Sequence, residues 1–303
     1  MNKPKMIMLV VLPASGKSTY AQELAEKYNA KVFSSDALRE ELFGDINEQS
    51  RDQELFTELH KRIKDCLNNN QNAIYDACNR SYKRRMVFLN ELNKIPCEKI
   101  CVVMATPYEV CIAQNEARDR TIPREVIKRM YLNFDAPWYY EGWDDIWIKY
   151  APNSQDSYGY PIHWLEIVRQ YNQNNTHHSL SLGEHCEKAW RYACENNGDL
   201  PLRIASILHD CGKPFTKTFT NSKGEVTEQA HYYNHERVGS YDSLFYAMIC
   251  NPLEVAVLIR WHMQPYFWEK DNNEKSHNKY KKLWGEKLYN DIMLLHEADK
   301  QAH

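Results

Sequence analysis

The chain has 303 residues, of which 43% are hydrophobic and 26% charged, and this composition excludes an intrinsically disordered protein. Its 38 basic and 41 acidic residues leave a formal net charge of −3, so any nucleic-acid site must be a local patch. The nine cysteines form no C-x-x-C pair, and no apolar run reaches the roughly 18 residues of a membrane helix. We therefore expect reduced thiols in a cytoplasmic protein that does not enter a membrane.

The first half of the chain alternates short apolar runs with helical patterns, which predicts an α/β domain with a parallel sheet and flanking helices. The predicted strands are Met6–Leu12, Lys31–Ser34, Ala73–Tyr75 and Lys99–Met104. The predicted helices are Ser18–Tyr28, Ala37–Phe43, Arg51–Leu67 and Tyr82–Leu92. A segment rich in aromatics, Pro, Gly and Asp follows at Trp138–Tyr160, and we place the boundary there, giving domains 1–150 and 151–303.

The second half shows helical patterns and no strand alternation, which predicts an all-α domain. The predicted helices are Gly183–Glu195, Pro201–His209, His235–Met248, Pro252–His262 and Lys287–Ala302. A turn-rich stretch at Thr216–Glu228 interrupts them. Eleven of the twelve histidines lie after residue 150, and only His60 lies before it, so a different chemistry is expected in this half.

The segment Leu12–Thr19, LPASGKST, lies between a predicted strand and a predicted helix, as a phosphate-binding loop requires. In such a loop backbone N–H groups and the helix N-terminus face the phosphates, while Lys17 reaches the β/γ-phosphates and the Ser18 hydroxyl binds Mg²⁺. Val11 stands where the first glycine usually falls. The alternative is an ordinary strand–turn–helix with a chance GKST. The predicted ATP and magnesium contacts are Ser15, Gly16, Lys17, Ser18 and Thr19.

Asp36 and Arg39 follow the second predicted strand and are candidates for the acceptor side of a kinase site. A kinase needs a base for the acceptor hydroxyl, and Asp36 is suited to this role at the carboxyl edge of the sheet. The alternative is that Asp36 only caps its helix. Arg39 lies on the same helix face, where it can hold an acceptor phosphate.

Two further groups complete the candidates of this half. Asp76 ends the third strand, Asn79 follows it, and Lys83–Arg85 is interpreted as a solvated helix face. Arg118 and Arg120 precede a helix in a segment suited to a lid over the γ-phosphate, although surface charge is an equal alternative.

Taken together these residues resemble the kinase domain of polynucleotide 5′-hydroxyl kinases over about residues 5–150. The motifs are GKST, S-D-x-x-R at 35–39, D-x-x-N with K-R-R at 76–85, and R-x-R-x-x-P-x-x-V-I at 118–127. The resemblance implies ATP and Mg²⁺ at Lys17 and Ser18, and Asp36 as the general base. It also implies that Arg39 contacts the acceptor's phosphate and that Arg118 belongs to the lid. We further predict that Asp76 orients the acceptor or the metal and that, with Asn79, it contacts the acceptor, and that Arg120 contacts ATP.

In the second half the signal is a set of spacings between imidazoles and carboxylates. Two histidines and two aspartates suit a divalent transition-metal ion, which activates water at neutral pH. The candidate ligands are His185, His209, Asp210 and Asp299. Lys213 is suited to a substrate phosphate, and His231, His235 and His262 to a second metal or to substrate oxygens. The alternative is a set of buried histidines that only donate hydrogen bonds, and His296 and His303 are expected at the surface.

The order H…HD…D, with GK after it and H-x-x-x-H downstream, resembles the HD phosphohydrolase superfamily over about residues 160–303. The resemblance implies an all-α HD domain with His185, His209, Asp210 and Asp299 as core metal ligands. It makes His235 and His262 candidates for a second metal and Lys213 a phosphate contact. Members of the superfamily use Mn, Fe, Ni, Co, Mg or Zn, and these residues do not choose among them.

A kinase fused to a phosphohydrolase avoids a futile cycle if the two act on opposite ends of a broken strand. The leading hypothesis is a bifunctional end-healing enzyme that phosphorylates 5′-hydroxyl ends of RNA or DNA. Its HD domain removes a 2′,3′-cyclic phosphate or 3′-phosphate, so that a ligase can act afterwards. One alternative is a nucleoside or small-metabolite kinase fused to an HD nucleotidase. A second is a regulatory ATP-binding HD protein that transfers no phosphate.

Overall fold

The computed structural model describes residues 3–175, 179–247, 250–271 and 274–302. Contacts divide the chain into two units. The first consists of Met1–Met130 and Pro137–Pro152, and the second of Tyr131–Ala136 and Asn153–His303. The domain division at residue 150 stays a prediction. No change of composition in the sequence signals that residues 131–136 group with the second unit.

The first unit contains a parallel five-stranded sheet. Its strands are β1 (Lys5–Val10), β2 (Ala30–Ser34), β3 (Asn72–Asp76), β4 (Glu98–Ala105) and β5 (Asp145–Tyr150). Their order in the sheet is β2-β3-β1-β4-β5, and every pair is parallel. The four predicted strands are confirmed to within two residues at each end. β5 was missed because it is a half-buried edge strand inside the segment interpreted as a boundary.

Six helices flank this sheet. They are α1 (Lys17–Tyr28), α2 (Ser35–Phe43), α3 (Asp52–Asn68), α4 (Tyr82–Glu91), α5 (Tyr108–Glu116) and α6 (Arg124–Tyr131). α1 and α2 begin directly after β1 and β2, and because the strands are parallel, the segments that follow β1, β2 and β3 meet at one edge. One buried hydrophobic cluster of the sheet and α1 contains Ile7, Leu9, Val11, Ala21, Leu24, Ile74, Ile100, Val102 and Met104.

The second unit is helical. Its helices are α7 (Pro161–Ile167), α8 (Leu182–Glu195), α9 (Leu200–Leu208), α10 (Lys213–Thr216), α11 (His235–Asp242), α12 (Pro252–Trp261), α13 (Gln264–Asp271), α14 (Glu274–Trp284) and α15 (Glu286–Gln301). The five helices α8, α9, α11, α12 and α15 pack on one another. The fold class predicted from the sequence is thus confirmed.

Two details of the second unit correct the all-α prediction. An antiparallel hairpin of β6 (Thr218–Thr220) and β7 (Val226–His231) lies in the turn-rich stretch. Most of its residues are at least partly exposed and polar, so no apolar alternation marked it. The helix expected over His235–Met248 ends at Asp242 and continues as a short 3₁₀ turn at Ser243–Phe245, while Met248 lies outside the described residues.

Along the ranges described above, no helix has the length and apolar character needed to cross a bilayer. All nine cysteines carry free thiols, and six of them are buried. Burial raises the pKa of the Cys101 and Cys211 thiols well above the usual range, so both stay protonated and unreactive at neutral pH.

Candidate phosphate-binding site and metal centre

The loop between β1 and α1 has the backbone shape of a phosphate cradle. Ala14 and Gly16 both take left-handed conformations, with φ of 60° and 84°. Val11 instead follows directly after β1, fully buried, and its N–H donates to the Cys78 carbonyl at 3.0 Å. The loop therefore turns at Ala14 and Gly16 and does not need a glycine at position 11. A left-handed alanine costs about 1 kcal/mol, which the surrounding structure must offset.

The start of α1 favours an anion. No acidic residue occupies its first turn, so its free N–H groups and partial positive charge are not neutralised from within the helix. The Ser15 hydroxyl is buried without a hydrogen-bond partner among the described residues. Because buried polar groups are normally paired, an oxygen-rich ligand fits this hydroxyl. Thr19 is exposed in the first turn of the helix.

Lys17 lies between two carboxylates that follow neighbouring strands. Its Nζ is 3.1 Å from Asp76 Oδ1 and 3.8 Å from Asp36 Oδ2. Burial alone would lower the pKa of Lys17, but the charges of Asp76 and Asp36 outweigh it and raise the pKa, so Lys17 is a cation at neutral pH. The Ser18 hydroxyl donates to Asp76 Oδ2 at 3.2 Å. Hydroxyl and carboxylate oxygens are the ligands that Mg²⁺ prefers, so this pair fits the ion.

Asp36 lies in the first turn of α2, but it does not cap the helix. Ser34 is the cap, and its hydroxyl accepts from the Ala37 N–H at 3.4 Å. The Asp36 carboxylate is partly exposed and has cations on both oxygens. Arg39 Nη1 lies 3.4 Å from Oδ1, and Arg120 Nη1 lies 3.9 Å from Oδ2. Asp36 therefore does not serve as the cap of α2.

Arg39 is buried and points to a carboxylate that sequence reasoning missed. Its Nη2 donates to Asp52 Oδ1 at 2.8 Å, and the exposed Arg84 places Nη2 3.9 Å from Asp52 Oδ2. Asp52 is the first residue of α3. One acidic residue at the start of a helix has no distinctive spacing, so the sequence does not predict its contacts with Arg39 and Arg84. We call these three residues the clamp around Asp52.

Not every predicted lid and acceptor residue joins the cluster around Lys17. Arg118 is exposed. Arg120 donates to Asn47 Oδ1 at 3.1 Å as well as facing Asp36. Asn79 uses its side-chain N–H to hold the Leu9 carbonyl at 3.0 Å. The acceptor role of Asn79 and the lid role of Arg118 stay predictions.

Arg85 corrects the interpretation of Lys83–Arg85 as a solvated face. Its side chain is fully buried and donates to both oxygens of Glu141, at 2.7 and 2.6 Å. A third bond runs from its Nη1 to the Asn79 carbonyl at 3.1 Å, and the Trp143 indole N–H donates to the same carboxylate. A buried ion pair between α4 and a residue 56 positions later leaves no local pattern in the sequence.

Four imidazoles in the second unit share one arrangement. Each Nδ1 faces a backbone carbonyl, and because a carbonyl only accepts, Nδ1 carries a hydrogen and Nε2 is the nitrogen that can take a proton or bind a metal. The pairs are His185 with Ala302 at 3.3 Å, His209 with Ser206 at 2.9 Å, His235 with Tyr232 at 2.8 Å and His262 with Ile259 at 2.7 Å. This tautomer is the one that ligates metals through Nε2.

The first pair of Nε2 atoms belongs to His185 and His209, 3.1 Å apart. Asp299 Oδ1 lies 3.1 Å from His185 Nε2 and 3.6 Å from His209 Nε2. Three lone-pair donors this close repel one another unless a proton or a cation lies among them. The donor set therefore fits a divalent metal ion.

A second pair lies on the other side of Asp210. His235 and His262 approach to 3.3 Å between their Nε2 atoms, and Asp210 Oδ1 is 3.2 Å from His235 Nε2. Asp210 Oδ2 is 3.4 Å from both His185 and His209. The two oxygens of one buried carboxylate thus face two imidazole pairs, and each pair together with Asp210 would be able to hold a cation.

The pKa shifts follow from this crowding. Burial would raise the pKa of Asp210, but Lys213 and His209 outweigh it and hold the pKa well below its usual range. Burial, with the nearby His235 and His209, lowers the pKa of His262 to about 3. His262 therefore remains neutral at physiological pH and keeps its lone pair for a ligand.

Two neighbours of Asp210 explain its position. Lys213 Nζ lies 2.6 Å from Asp210 Oδ2 and donates to Gln173 Oε1 at 2.8 Å. Its predicted contact with a substrate phosphate stays a prediction. Gly212 has no room for a side chain, because a Cβ there would lie 2.2 Å from the His235 carbonyl oxygen. This close approach of backbones brings Asp210 and His235 together.

The other histidines lie elsewhere. His231 is in β7, where its Nε2 contacts Thr227 Oγ1 at 3.0 Å, and it does not join the metal ligands. His296 was expected at the surface, and this was wrong: it is 2% exposed, with Nε2 2.9 Å from Glu269 Oε1 and its ring edge-on to Tyr266. Three histidines lie outside the described residues, namely His177, His178 and His303.

Comparison with known families assigns each half of the chain. Residues 6–137 match the model of an AAA domain, and residues 182–302 match that of the HD domain. The first half of the chain is therefore similar to an AAA domain and the second half to the HD domain. The predicted recognition of these two modules is confirmed.

Three proteins are similar to part of this chain. An L-seryl-tRNA(Sec) kinase of Methanococcus maripaludis is 25% identical over 184 residues, which cover 59% of this chain and 69% of the relative. A chain in a Pnkp1/Rnl/Hen1 RNA repair complex is 21% identical with a TM-score of 0.37, and the match covers 43% of each chain. A gluconokinase from Sinorhizobium meliloti 1021 is 15% identical with a TM-score of 0.38, over 50% of this chain and 86% of the other.

Proposed function

We propose that this protein heals broken nucleic-acid ends with two separate active sites. The P-loop unit phosphorylates a 5′-hydroxyl end at the expense of ATP, and the HD unit removes a 2′,3′-cyclic phosphate or 3′-phosphate. The observation that carries the proposal is the presence of two complete but different clusters in one chain. In the first cluster Lys17 lies between two carboxylates beside the loop that precedes α1. In the second, two pairs of histidines lie on either side of Asp210.

In the kinase reaction Asp36 accepts the proton of the acceptor hydroxyl. The hydroxyl oxygen forms a bond to the γ-phosphorus of ATP, the bond to the bridging oxygen breaks, and ADP leaves. Lys17 neutralises charge on the phosphates, and Arg120, which faces Asp36, is suited to the transferring group. Magnesium, when held by Ser18 and Asp76, neutralises the phosphate oxygens further.

An acceptor that carries a phosphate fits the clamp around Asp52. Arg39 and Arg84 each face one oxygen of this carboxylate, and an acceptor phosphate would bind the two guanidiniums by taking the place of Asp52. Arg39 also lies beside Asp36, so the phosphate would lie close to the reacting hydroxyl. The similar L-seryl-tRNA(Sec) kinase is named for an RNA-borne acceptor, which supports a nucleic-acid substrate over a free sugar.

In the HD reaction the imidazoles and carboxylates would hold divalent cations. A cation bound there polarises a phosphoryl group and lowers the pKa of water. His185, His209 and Asp299 surround one position, and His235 and His262 the other. Asp210 orients both pairs, and Lys213 keeps it ionised. The metal is one of Mn, Fe, Ni, Co, Mg or Zn, with a ligase as the expected partner downstream.

The test is an RNA with a 5′-hydroxyl and a 2′,3′-cyclic phosphate, incubated with ATP, Mg²⁺ and Mn²⁺, followed by identification of both ends. Asp36→Asn should lower 5′ phosphorylation by about 10²–10⁴-fold and spare the 3′ reaction. Asp210→Asn should do the reverse. Glu40→Gln, an exposed position on α2, and Glu195→Gln, at the end of α8, serve as matched controls.

Different results would replace the proposal. Equal loss of both activities from either variant would contradict independent sites. Phosphorylation of free nucleosides or sugars but not of the RNA would favour a metabolite kinase fused to a nucleotidase. Binding of ATP without transfer to any hydroxyl would favour a regulatory nucleotide-binding module.

A further inference from the structure

Asp135 is a buried carboxylate that no motif of the sequence indicated. It belongs to the short segment 131–136, which groups with the second unit although it precedes β5 in the chain. Its Oδ1 accepts from Arg260 Nε at 2.8 Å and from Arg237 Nη1 in a second, short bond. Asp135 and Arg260 are each 9% exposed. One oxygen therefore joins a guanidinium on α11 to a guanidinium on α12.

The two arginines have matching positions relative to the histidines of the second pair. Arg237 lies two residues after His235 on α11, and Arg260 lies two residues before His262 at the end of α12. Residues two apart on a helix point about 200° away from each other, since each residue turns the helix by about 100°. We call the contacts of Asp135 with the two arginines the Asp135 tie. They lie on the sides of α11 and α12 that face away from the imidazoles.

Glu236 adds a weaker link in the same place. Its Oε1 lies 3.7 Å from Arg237 Nε and 3.9 Å from Arg260 Nη1. The two carboxylates thus surround both guanidiniums, and Asp135 makes the shorter contacts. A buried carboxylate shared by two arginines has a strong directional preference, which fixes the separation of the helices that carry them.

We propose that Asp135 is a positioning residue for the second cation of the HD centre. By holding α11 and α12 at one spacing, it sets the 3.3 Å approach of His235 Nε2 and His262 Nε2. The first cation position uses His185, His209 and Asp299, which lie on or beside other helices, and does not depend on this tie. The inference rests on the proposed two-cation centre.

The experiment measures Mn²⁺ binding to the full chain by calorimetric titration and by metal analysis after dialysis. We expect the natural chain to bind two ions. Asp135→Asn should bind the first with unchanged affinity and the second about 10–100-fold more weakly. Tyr131→Phe is the matched control, because Tyr131 anchors the same segment through a hydrogen bond to Asp242, away from the histidines. It should leave both affinities unchanged.

The outcomes separate this inference from the proposed function. If the natural chain binds fewer than two ions, the two-cation centre is wrong. If it binds two and Asp135→Asn does so with equal affinity, the positioning role is wrong. Equal weakening of both ions would show that Asp135 acts only on general stability. Should Asp135→Asn fail to fold, Arg237→Lys and Arg260→Lys test the same tie, and unchanged second-ion affinity in both overturns it.

Discussion

Replacing Glu141 with Gln should destabilise the first unit by about 3–5 kcal/mol. Both oxygens of Glu141 accept from Arg85, and both side chains have an exposed fraction of 0%. Glutamine keeps the shape and one acceptor, but it removes the charge and turns an N–H₂ group toward the guanidinium. Because Arg85 is then a buried cation without its counter-charge, we expect nearly the full cost of breaking a buried pair.

Calorimetry of the full chain is the assay, since it follows the transition of each unit. For about 150 residues, 1 kcal/mol corresponds to a shift in Tm of about 2–4 °C, so Glu141→Gln should lower one transition by at least about 6 °C. The double variant Arg85→Met with Glu141→Leu removes both charges. It should cost less than the sum of the two single variants, Arg85→Met and Glu141→Leu, by about 2 kcal/mol or more.

A shift below about 2 °C in Glu141→Gln would refute the reasoning, because it would mean that the pair is solvated or that the unit relaxes around the lone cation. Additive costs in the double variant would refute it as well. Loss of the transition in the second unit would show that the effect is not local.

Two further predictions concern pH and metal binding. Burial, opposed by Glu91, lowers the pKa of His60 below 6.5 in the folded protein. The unfolded chain therefore binds more protons just below pH 6.5 than the folded protein does. The free energy of unfolding should consequently fall as the pH drops below 6.5. His60→Asn should flatten this dependence in urea unfolding, and an unchanged slope would contradict the assignment. The Tyr266 hydroxyl donates to Asp299 Oδ2 at 3.1 Å, and Tyr266→Phe should weaken Mn²⁺ binding at the first position about 10-fold. Titration with equal affinity in the variant would exclude an orienting role.

The strands of the first unit could be predicted from the sequence where consecutive residues are buried. β1, β3 and β4 are runs of buried apolar residues, and the GKST loop between a strand and a helix marks the carboxyl edge of the sheet. β5 was missed because DIWIKY is only half buried, and the hairpin β6–β7 because its side chains are mostly solvated. Short strands that bury little leave little hydrophobic pattern.

Some residues of the candidate sites could be predicted from the sequence and others could not. His185, His209 and Asp210 could be predicted because metal chemistry restricts residue type and order, and the structure brings them within one cluster. Asp52, Glu141 and Asp135 could not, because each acts through an arginine that is distant in sequence. His231 illustrates the opposite error, since a spacing of four residues means proximity only on a helix, and His231 ends a strand.

The path of residues 131–136 limits how the protein can be cut. Because this hexapeptide is inserted among the helices while its continuation returns to form an edge strand, a gene fragment that starts at codon 151 would lack Tyr131, Phe134 and Asp135. Phe134 is fully buried, so its removal would open a cavity in the truncated piece, and the complementary fragment would expose the same ring to water. Dissection of the two halves would therefore report on damaged proteins, and each activity is best silenced by point substitution in the intact polypeptide.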